Sequence, residues 1–303
     1  MDSDKQWRID TVSVPSPAPC VWTMFVCRFE YNQTGGSMLE NINLKKQISR
    51  EEYKRSLPAL QRRLYDLEKA CWDHGVPTII VFEGWDASGK GTTIATLTQR
   101  LDPRGFKLHP ITPPRTFEQQ RPWLWRFWLK VPNRGEMVIF DGSWYGRVLE
   151  ERVERTAPAK AVRASYRDIV EFERMLADDG TVILKFLMHI SRKEQSRRFK
   201  ALEADPLEAW RVTELDWARY RKYDEYLVAM EEMLELTESE YGPWTIVEAT
   251  SKWYARKKVF ETIIAAMEER LGANAPPRSQ AGESATEDDE LREAMESMGG
   301  GKS

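Results

Sequence analysis

The strongest constraint on the fold comes from residues 78–101, where a short apolar run leads through a glycine-rich turn into a helical pattern. The run at 78–82 reads TIIVF, and its β-branched side chains indicate a strand that is buried on both faces. The turn at 84–92 reads GWDASGKGT, and the apolar spacing that follows predicts a helix over 92–101. A buried strand that feeds a helix through a tight turn is typical of a parallel sheet covered by helices.

The same alternation continues along the chain. We predict further strands at 106–111, 137–140, 182–188 and 244–247. We predict further helices at 51–74, 117–129, 162–177, 192–203, 214–236 and 253–271. Pro58 falls inside the first helical pattern, so that helix is expected to kink or to begin there. Strands separated by long helices predict an α/β fold with a mostly parallel sheet.

The two ends of the chain differ from this body. Residues 1–37 contain several prolines and no periodic pattern, and we interpret them either as a disordered extension or as sequence upstream of a true start at Met38. Residues 273–303 carry four consecutive acidic residues and end in glycines, which predicts a disordered acidic tail. The folded domain is therefore expected to span 38–272, a size that fits one domain.

Composition excludes several classes of protein. The chain has 45 Lys+Arg against 48 Asp+Glu and a net charge of −3, so we expect no nucleic acid partner and only a local basic tract for any other polyanion. No apolar run approaches the roughly 18 residues of a membrane span, so no membrane partner is expected. Three cysteines, Cys20, Cys27 and Cys71, lack metal-ligand spacing and fit the reducing cytoplasm.

The turn at 84–92 matches the G-x-x-x-x-G-K pattern of a phosphate-binding loop (P-loop, Walker A). In such a loop the glycines, here Gly84 and Gly89, let backbone N–H groups point at phosphate oxygens, and Lys90 reaches between phosphates. The usual Ser/Thr after the lysine is replaced by Gly91, with Thr92 next. Another group must then bind magnesium. The carboxylate of Asp86 is the candidate, because a carboxylate beside clustered phosphates requires a cation between them.

A second motif follows the third predicted strand, which ends in Asp141. A carboxylate at this edge of the sheet is in the place of the second magnesium ligand of P-loop enzymes, although Asp141 or Ser143 could instead cap a helix. Arg147 and Arg152 follow as candidates for phosphate binding. The alternative for both is a surface ion pair with a neighbouring glutamate.

A basic stretch from 191 to 222 follows the fourth predicted strand, at the position where nucleotide kinases carry a mobile lid. Such lids close arginines over the phosphoryl group that is transferred, and Arg197 and Arg198 are the leading candidates here. The alternative is a solvated pair of helices with mixed charges, since acidic residues are interspersed.

Together these motifs resemble the polyphosphate kinase 2 family over about residues 45–270. The matching segments are Gly84-x-Asp86-Ala87-x-Gly89-Lys90, Asp141 with Ser143-Trp144-Tyr145, Glu151-Arg152-Val153, Trp210-Arg211-Val212-Thr213 and Lys252-x-x-Ala255-Arg256. The resemblance implies a three-layer α/β/α, P-loop kinase-like domain with a helical lid. It implies Mg²⁺- or Mn²⁺-dependent phosphoryl transfer between inorganic polyphosphate and a nucleotide.

By the same resemblance, Asp86 and Asp141 hold the metal, Lys90 binds phosphate, and arginines of the lid bind polyphosphate or the transferred group. Gly84, Gly89, Gly91, Thr92, Arg147, Arg152 and Arg211 complete the expected phosphate and nucleotide contacts. Three segments resemble the polyphosphate:AMP phosphotransferase branch: Trp85, Arg126-Phe127-Trp128 and Trp144-Tyr145-Gly146-Arg147. AMP is therefore the favoured acceptor and ADP the second, and ATP is the other nucleotide expected to bind. A homo-oligomer is expected.

One position departs from the family. Arginine commonly follows the strand-end aspartate, whereas here the residue is Gly142. Either a phosphate contact is lost, or the backbone adopts a conformation that favours glycine; a negative φ indicates the first and a positive φ the second. Three other functions remain open at this point. They are an ATP-dependent nucleoside-monophosphate kinase, a non-catalytic module that binds nucleotide or polyphosphate, and a structural subunit that pairs with an active homologue.

Overall fold

The computed structural model describes residues 38–277, which form an α/β fold around one parallel sheet. Its strands are β1 (Thr78–Gly84), β2 (Phe106–Pro110), β3 (Met137–Asp141), β4 (Val182–His189) and β5 (Trp244–Glu248). Their order is β2-β3-β1-β4-β5, and every pair is parallel. All five predicted strands are confirmed. The predictions for 1–37, and for the acidic tail beyond residue 277, lie outside the described residues.

Helices cover the sheet. They are α1 (Arg50–Asp73), α2 (Lys90–Thr98), α3 (Thr116–Gln119), α4 (Trp125–Trp128), α5 (Glu150–Val153), α6 (Ala159–Asp178), α7 (Arg192–Glu203), α8 (Glu214–Arg221), α9 (Tyr223–Thr237) and α10 (Lys252–Leu271). One group, α1, α2 and α10, packs together, and α10 contacts β4 and β5. A second group contains α5, α6 and α9, with α6 against β4. Among the helices of residues 38–277, none is long and apolar enough to cross a membrane.

Two predicted helices are each divided in the structure. The single helix expected over 117–129 is wrong: two one-turn helices, α3 and α4, replace it, because Pro122 lies between them and has no N–H to donate. The helix expected over 214–236 is also wrong as a single element, since it ends at Arg221 and a new helix starts at Tyr223. The first helix, in contrast, begins at Arg50 and runs through Pro58.

The sheet brings the predicted motifs to one edge. β1 lies between β3 and β4, so the turn after β1 meets the segments that follow both neighbours. Phe82 is opposite Asp141 in the β1–β3 register, and Gly84 is opposite Met188 in the β1–β4 register. The carboxyl ends of parallel strands are where open α/β sheets bind ligands. The candidate site is therefore built at this edge.

Candidate active site

The backbone of the 84–92 turn adopts conformations that its residue types allow. Gly84 has φ +124°, and a Cβ built there would lie 2.3 Å from the Met188 carbonyl oxygen. Only glycine permits this close approach of two backbones. Gly89 has φ +102°, and Ala87 has φ +57°, a left-handed conformation that is costly for alanine. The turn is thus folded tightly, as a phosphate-binding loop requires.

Side chains of the turn hold it from within. The Lys90 ammonium donates to the carbonyl oxygens of Gly84 at 2.6 Å and Trp85 at 3.1 Å. The Thr92 hydroxyl donates to the Gly89 carbonyl oxygen at 3.1 Å. Gly91 and Thr92 are both exposed at the start of α2. The lysine therefore lies across the loop, while the first helical turn faces solvent.

Trp85 fixes the loop to the neighbouring strand. Its indole stacks on Tyr223 with a centroid distance of 3.9 Å, and its Nε1–H donates to Nδ1 of His189 at 2.9 Å. Burial lowers the pKa of His189 to about 4. The imidazole is consequently neutral at pH 7, which is the state that can accept this hydrogen bond.

Arg198, a predicted lid residue, is built into the same loop. Its Nε donates to Glu194, and Nη1 donates to the carbonyl oxygens of Ala87 and Ser88, each at 2.9 Å. Its Nη2 donates to the carbonyl oxygens of Ala249 at 2.7 Å and Thr250 at 3.0 Å. A guanidinium has five N–H groups, and protein oxygens accept all of them here. Arg198 therefore acts as a clamp between α7, the loop and the segment after β5.

The other predicted arginines of the 191–222 stretch are more exposed. Arg197 has a side chain that is 67% exposed and pairs with Glu194, on its own helix, at 2.7 Å. Arg211 pairs with Glu208, three residues earlier, at 2.5 Å. The stretch itself contains α7 and α8, which pack together where the rings of Trp217 and Tyr220 contact Phe199. We call α7, α8 and the segment that joins them the helical hairpin.

The turn after β3 carries the second predicted carboxylate. Asp141 ends the strand, and the N–H of Gly142 donates to the Phe82 carbonyl oxygen at 3.0 Å. Gly142 has φ +72°, which supports the conformational explanation for glycine at this position. Ser143 does cap the following helical turn, since its hydroxyl oxygen accepts from the Tyr145 N–H.

Glu83 links the two turns. The Ser143 hydroxyl donates to the Glu83 carboxyl group at 2.7 Å, and Glu83 is buried at the end of β1. Burial, followed by the nearby charge of Glu150, raises the pKa of Glu83 to about 8. The hydrogen bond from Ser143 and the charge of Lys90 oppose that rise.

A buried ion pair holds the turn after β3 in place. The Lys185 ammonium and the Glu173 carboxylate lie 2.9 Å apart, and both side chains are fully buried. Glu173 also accepts from Trp144 Nε1 at 3.0 Å and from the Tyr145 hydroxyl at 2.7 Å. The Thr237 carbonyl oxygen accepts from Lys185 at 2.9 Å. Because every charge has partners, this network fixes the turn that follows Asp141.

A narrow pocket of about 30 Å³ lies beside Asp86. Arg219, on α8, reaches into it, with its Nη1 at 3.7 Å from an Asp86 carboxylate oxygen. Glu150 and Gln195 also line the pocket, and Gln195 Nε2 donates to the Asp86 carbonyl oxygen at 3.2 Å. The arginine of the helical hairpin that lines this pocket is Arg219. It is not Arg197 or Arg198, which were the leading candidates from the sequence.

Several polar atoms in and around this pocket have no hydrogen-bond partner within residues 38–277. They are Ser88 Oγ, Glu150 Oε2, Gln195 Oε1 and Arg219 Nε. Buried polar atoms normally find partners, and unpaired ones at a cleft call for an additional polar ligand. Both donors and acceptors are present in this set, which suits phosphate oxygens together with a cation.

The carboxylates fit a divalent cation that is shared with substrate. Asp86 and Asp141 follow the adjacent strands β1 and β3, and carboxylate oxygens are preferred ligands of Mg²⁺. Within residues 38–277, no three His, Cys, Asp or Glu side chains form a cluster that would hold a metal alone. Mg²⁺ is commonly bound by one or two carboxylates plus substrate phosphates, and this donor set has that composition.

Arg147 and Arg152 diverge in the structure. Arg147 pairs with Glu151 on the next helical turn, which is the ion pair considered as the alternative, and lies 5.8 Å from the Trp123 ring centroid. Arg152 points away from the pocket: it donates to the Tyr166 hydroxyl at 2.7 Å and pairs with Glu232 at 2.6 Å. These two arginines therefore do not converge on Asp86.

Sequence reasoning missed Arg219, Glu150 and the buried pair. Arg219 was one of many basic residues in its stretch, and its aim toward Asp86 depends on the packing of the helical hairpin. Glu150 is one of several glutamates near Arg147, and no pattern in the sequence singles it out. A signal for Lys185 did exist, since it is the one charge within the apolar strand VILKFLM and so required a buried partner.

Comparison with known proteins gives a consistent family. The family model described as polyphosphate kinase 2 matches residues 47–274. A polyphosphate:AMP phosphotransferase of Pseudomonas aeruginosa is 42% identical over 234 residues, which are 76% of this chain and 47% of that protein. An AMP/ADP-polyphosphate phosphotransferase of Meiothermus ruber is 36% identical over 70% of this chain and 80% of its own.

Solved structures agree with the sequence matches. The crystal structure of polyphosphate kinase 2 from Arthrobacter aurescens TC1 superposes with a TM-score of 0.75 and 28% identity. The match covers 86% of this chain and 94% of that one. The match spans about half the length of the Pseudomonas relative, whereas it spans 80% of the Meiothermus relative.

Proposed function

The chain belongs to the polyphosphate kinase 2 family, and we propose that it transfers a phosphoryl group between inorganic polyphosphate and a nucleotide, with AMP as the favoured acceptor. The name of the Pseudomonas relative, a polyphosphate:AMP phosphotransferase, supports AMP. The name of the Meiothermus relative includes ADP, which we retain as the second acceptor.

The observation that carries the proposal is the preformed loop at 84–92. Its backbone is held by Lys90, by Trp85 and by the Arg198 clamp before any ligand arrives. A loop that is already organised can stabilise developing charge on phosphate oxygens without first rearranging. Unpaired polar atoms of Arg219 and Glu150 face the same pocket and give phosphate and cation their partners.

We assign Asp86 and Asp141 as the residues that would hold Mg²⁺ or Mn²⁺. When bound, the cation would neutralise phosphate oxygens, which two anionic substrates need before they can approach. A phosphate acceptor is already ionised at neutral pH, so the reaction requires no strong general base. Asp86 therefore acts as a metal or positioning ligand, and Lys90 binds phosphate as a point charge.

Arg219 is the arginine that we assign to the phosphoryl group. It now lies against Asp86 in a pocket of about 30 Å³, which is far too small for a nucleotide. We propose that α8 shifts when substrate binds, so that Arg219 exchanges the Asp86 carboxylate for a phosphate oxygen. Closure of an arginine over the reacting group excludes water and stabilises charge.

We place the reaction in the cytoplasm and expect a homo-oligomer. Cys71 is a free, buried thiol, as is usual in a reducing compartment. The net charge of −3 gives no general affinity for nucleic acid.

A donor–acceptor assay tests the function directly. The full chain is incubated with Mg²⁺ and AMP or ADP, with either long-chain polyphosphate or ATP as donor, and nucleotide products are measured. We expect ADP from polyphosphate and AMP at a rate well above that with ATP. Transfer from ATP alone would indicate a nucleoside-monophosphate kinase, and binding without turnover would indicate a non-catalytic module.

A matched pair of variants tests the role of Arg219. Arg219→Gln should lower kcat by about 30-fold or more, because a charge-assisted contact to phosphate is lost. Arg221→Gln removes an equal charge from an exposed position on the same helix, α8, and should change kcat less than about twofold. Equal effects of the two substitutions would contradict the assignment.

A further inference from the structure

A second cavity lies between α5, the turn after it, α6 and α9, apart from the pocket beside Asp86. Its volume is about 460 Å³, which is within the range of ligand-binding cavities. Three arginines line it, Arg152, Arg155 and Arg163, against the single carboxylate of Glu232. The cavity is therefore cationic.

Two of these guanidinium groups are available to a ligand. Glu232 already pairs with Arg152, whose other contact is the Tyr166 hydroxyl. Within residues 38–277, the side chains of Arg155 and Arg163 form no ion pair and no hydrogen bond. Both residues are exposed at the cavity. Two unpaired guanidinium groups on one concave surface favour an anion.

Arg155 is the left-handed residue that follows the end of α5. Arg155 has φ +54°, a left-handed conformation that costs a residue with a side chain about 1–2 kcal/mol. Neighbouring hydrogen bonds maintain it: its N–H donates to the Arg152 carbonyl oxygen, and that of Thr156 donates to Glu151. These two hydrogen bonds form the usual cap at the end of a helix, and they fix the backbone of Arg155 at the edge of the cavity.

The rest of the lining indicates which kind of anion binds. The other wall residues, Ala157, Ala159 and Val162, are small and apolar. Tyr166 is only 5% exposed and its hydroxyl is engaged by Arg152, so the lining offers no open aromatic face for a nucleotide base. Planar guanidinium groups without a stacking surface suit phosphate oxygens.

The cavity adjoins the candidate active site through one short helix. Glu150, at the start of α5, lines the pocket beside Asp86, whereas Arg152, on the same turn, lines the second cavity. A ligand that is longer than one site can therefore be held on both sides of α5.

From these observations we infer that the second cavity binds a stretch of inorganic polyphosphate away from its reacting end. The inference rests on the proposed function, since polyphosphate is the donor there. It adds a specific site, centred on Arg155 and Arg163, that distinguishes long polyphosphate molecules from short ones. No bond is made or broken at this site.

Donor length is the kinetic test. In the double variant Arg155→Gln/Arg163→Gln, the KM for long-chain polyphosphate should rise about tenfold, because two charge-assisted contacts are lost. The KM for tripolyphosphate and the kcat with both donors should stay within about twofold, since three phosphates reach only the loop at 84–92. The control Arg167→Gln/Arg174→Gln removes two exposed charges from α6, the helix that carries Arg163. It should leave both KM values unchanged.

A binding measurement separates this inference from the proposed function. In a Lys90→Ala background, calorimetry should detect residual binding of long-chain polyphosphate, and adding Arg155→Gln/Arg163→Gln should remove it. That result supports the cavity even if the parent transfers no phosphate. Unchanged residual binding, or equal effects of the two double variants on KM, would overturn the inference. Residual binding of AMP or ATP that exceeds that of tripolyphosphate, and is lost with both arginines, would overturn it in favour of a nucleotide site.

Discussion

The loop at 84–92 and the helical hairpin both carry basic residues, yet they are built in opposite ways. In the loop, strand β4, α7 and the segment after β5 all hold the backbone through Trp85, Gln195 and Arg198. In the hairpin, exposed arginines such as Arg197 and Arg211 pair with glutamates three residues away on the same segment. Such local ion pairs contribute little to stability and exchange readily.

The difference separates two tasks within one site. A loop that must present N–H groups at fixed points benefits from rigidity, because reorganisation during the reaction is avoided. A helix that opens and closes over a substrate benefits from contacts that are each weak. Arg198 lies on α7, a helix of the hairpin, but its contacts hold the rigid loop. Substitution of Arg198 therefore tests the comparison.

The largest effect is expected from the carboxylates beside the rigid loop. Asp86→Asn and Asp141→Asn should each lower kcat by at least about 100-fold, of order 3 kcal/mol in the barrier, because a metal ligand is lost. Steady-state kinetics at limiting Mg²⁺ measure this, with the exposed Asp178→Asn as control. Turnover near that of the parent in Asp86→Asn would contradict the metal assignment.

The adjacent arginines of α7 sharpen the comparison. Arg198→Gln should lower the free energy of unfolding by about 2–3 kcal/mol, since carbonyl oxygens of the loop lose their donors. Arg197→Gln, next to it in sequence and also paired with Glu194, should stay within about 0.5 kcal/mol. Urea unfolding of both variants provides the measurement. Similar values would mean that the clamp does not hold the loop.

Acid should weaken the loop through His189. Its pKa is about 4 in the folded protein against an ordinary 6.5, so the unfolded chain binds the proton first. Stability from this group is therefore present above pH 6.5 and is lost as the pH falls toward 4, by up to about 2–3 kcal/mol.

His189→Gln supplies the control for that pH dependence. The difference in unfolding free energy between parent and variant should shrink as the pH falls from 7 to 4.5. Burial raises the pKa of Glu68 to about 7 and that of Glu83 to about 8, so these two groups stabilise the folded protein as the pH falls. Both groups are present in the parent and in His189→Gln, so their effect cancels in the difference. A constant difference across this range would show that His189 does not titrate as described.

The smallest effect concerns the turn after β3. Gly142→Ala and Gly142→Arg should each lower the free energy of unfolding by about 1 kcal/mol, because φ is +72° while the nearest atom to a new Cβ is 3.8 Å away. Gly91→Ala, in α2 with open space around it and no positive φ, should instead be neutral or slightly stabilising. A Gly142→Arg variant with a lower KM for polyphosphate would show that the position contacts the donor as well.

Sequence alone predicted the loop at 84–92 far better than the helical hairpin. Apolar runs located all five strands, and the glycine and lysine spacing located the loop, because both signals are local. The choice between Arg197 and Arg198 depends on how α7 is rotated against the loop. Phe199, an apolar residue on a polar helix, gave a partial signal. It indicates the buried face of α7, which also includes Gln195, and Arg198 is next to it in sequence.

Other features depended on contacts between distant segments. Lys185 could be recognised as a buried charge, but its partner Glu173 lies on α6 and no spacing rule connects them. The same holds for Arg219, whose position relative to Asp86 follows from how α8 packs on α7. Side-chain roles that arise from tertiary packing are not encoded in local patterns.

The central place of β1 also determines when this protein becomes functional as it folds. Thr78 pairs with Met137 on one side and Val182 on the other, both far along the chain, and such distant pairings slow folding. The Trp85 N–H donates to the Met188 carbonyl oxygen, so the loop takes its final shape only after β4 has docked. During synthesis the phosphate-binding segment thus emerges early and remains incompetent until the second half of the domain has joined it.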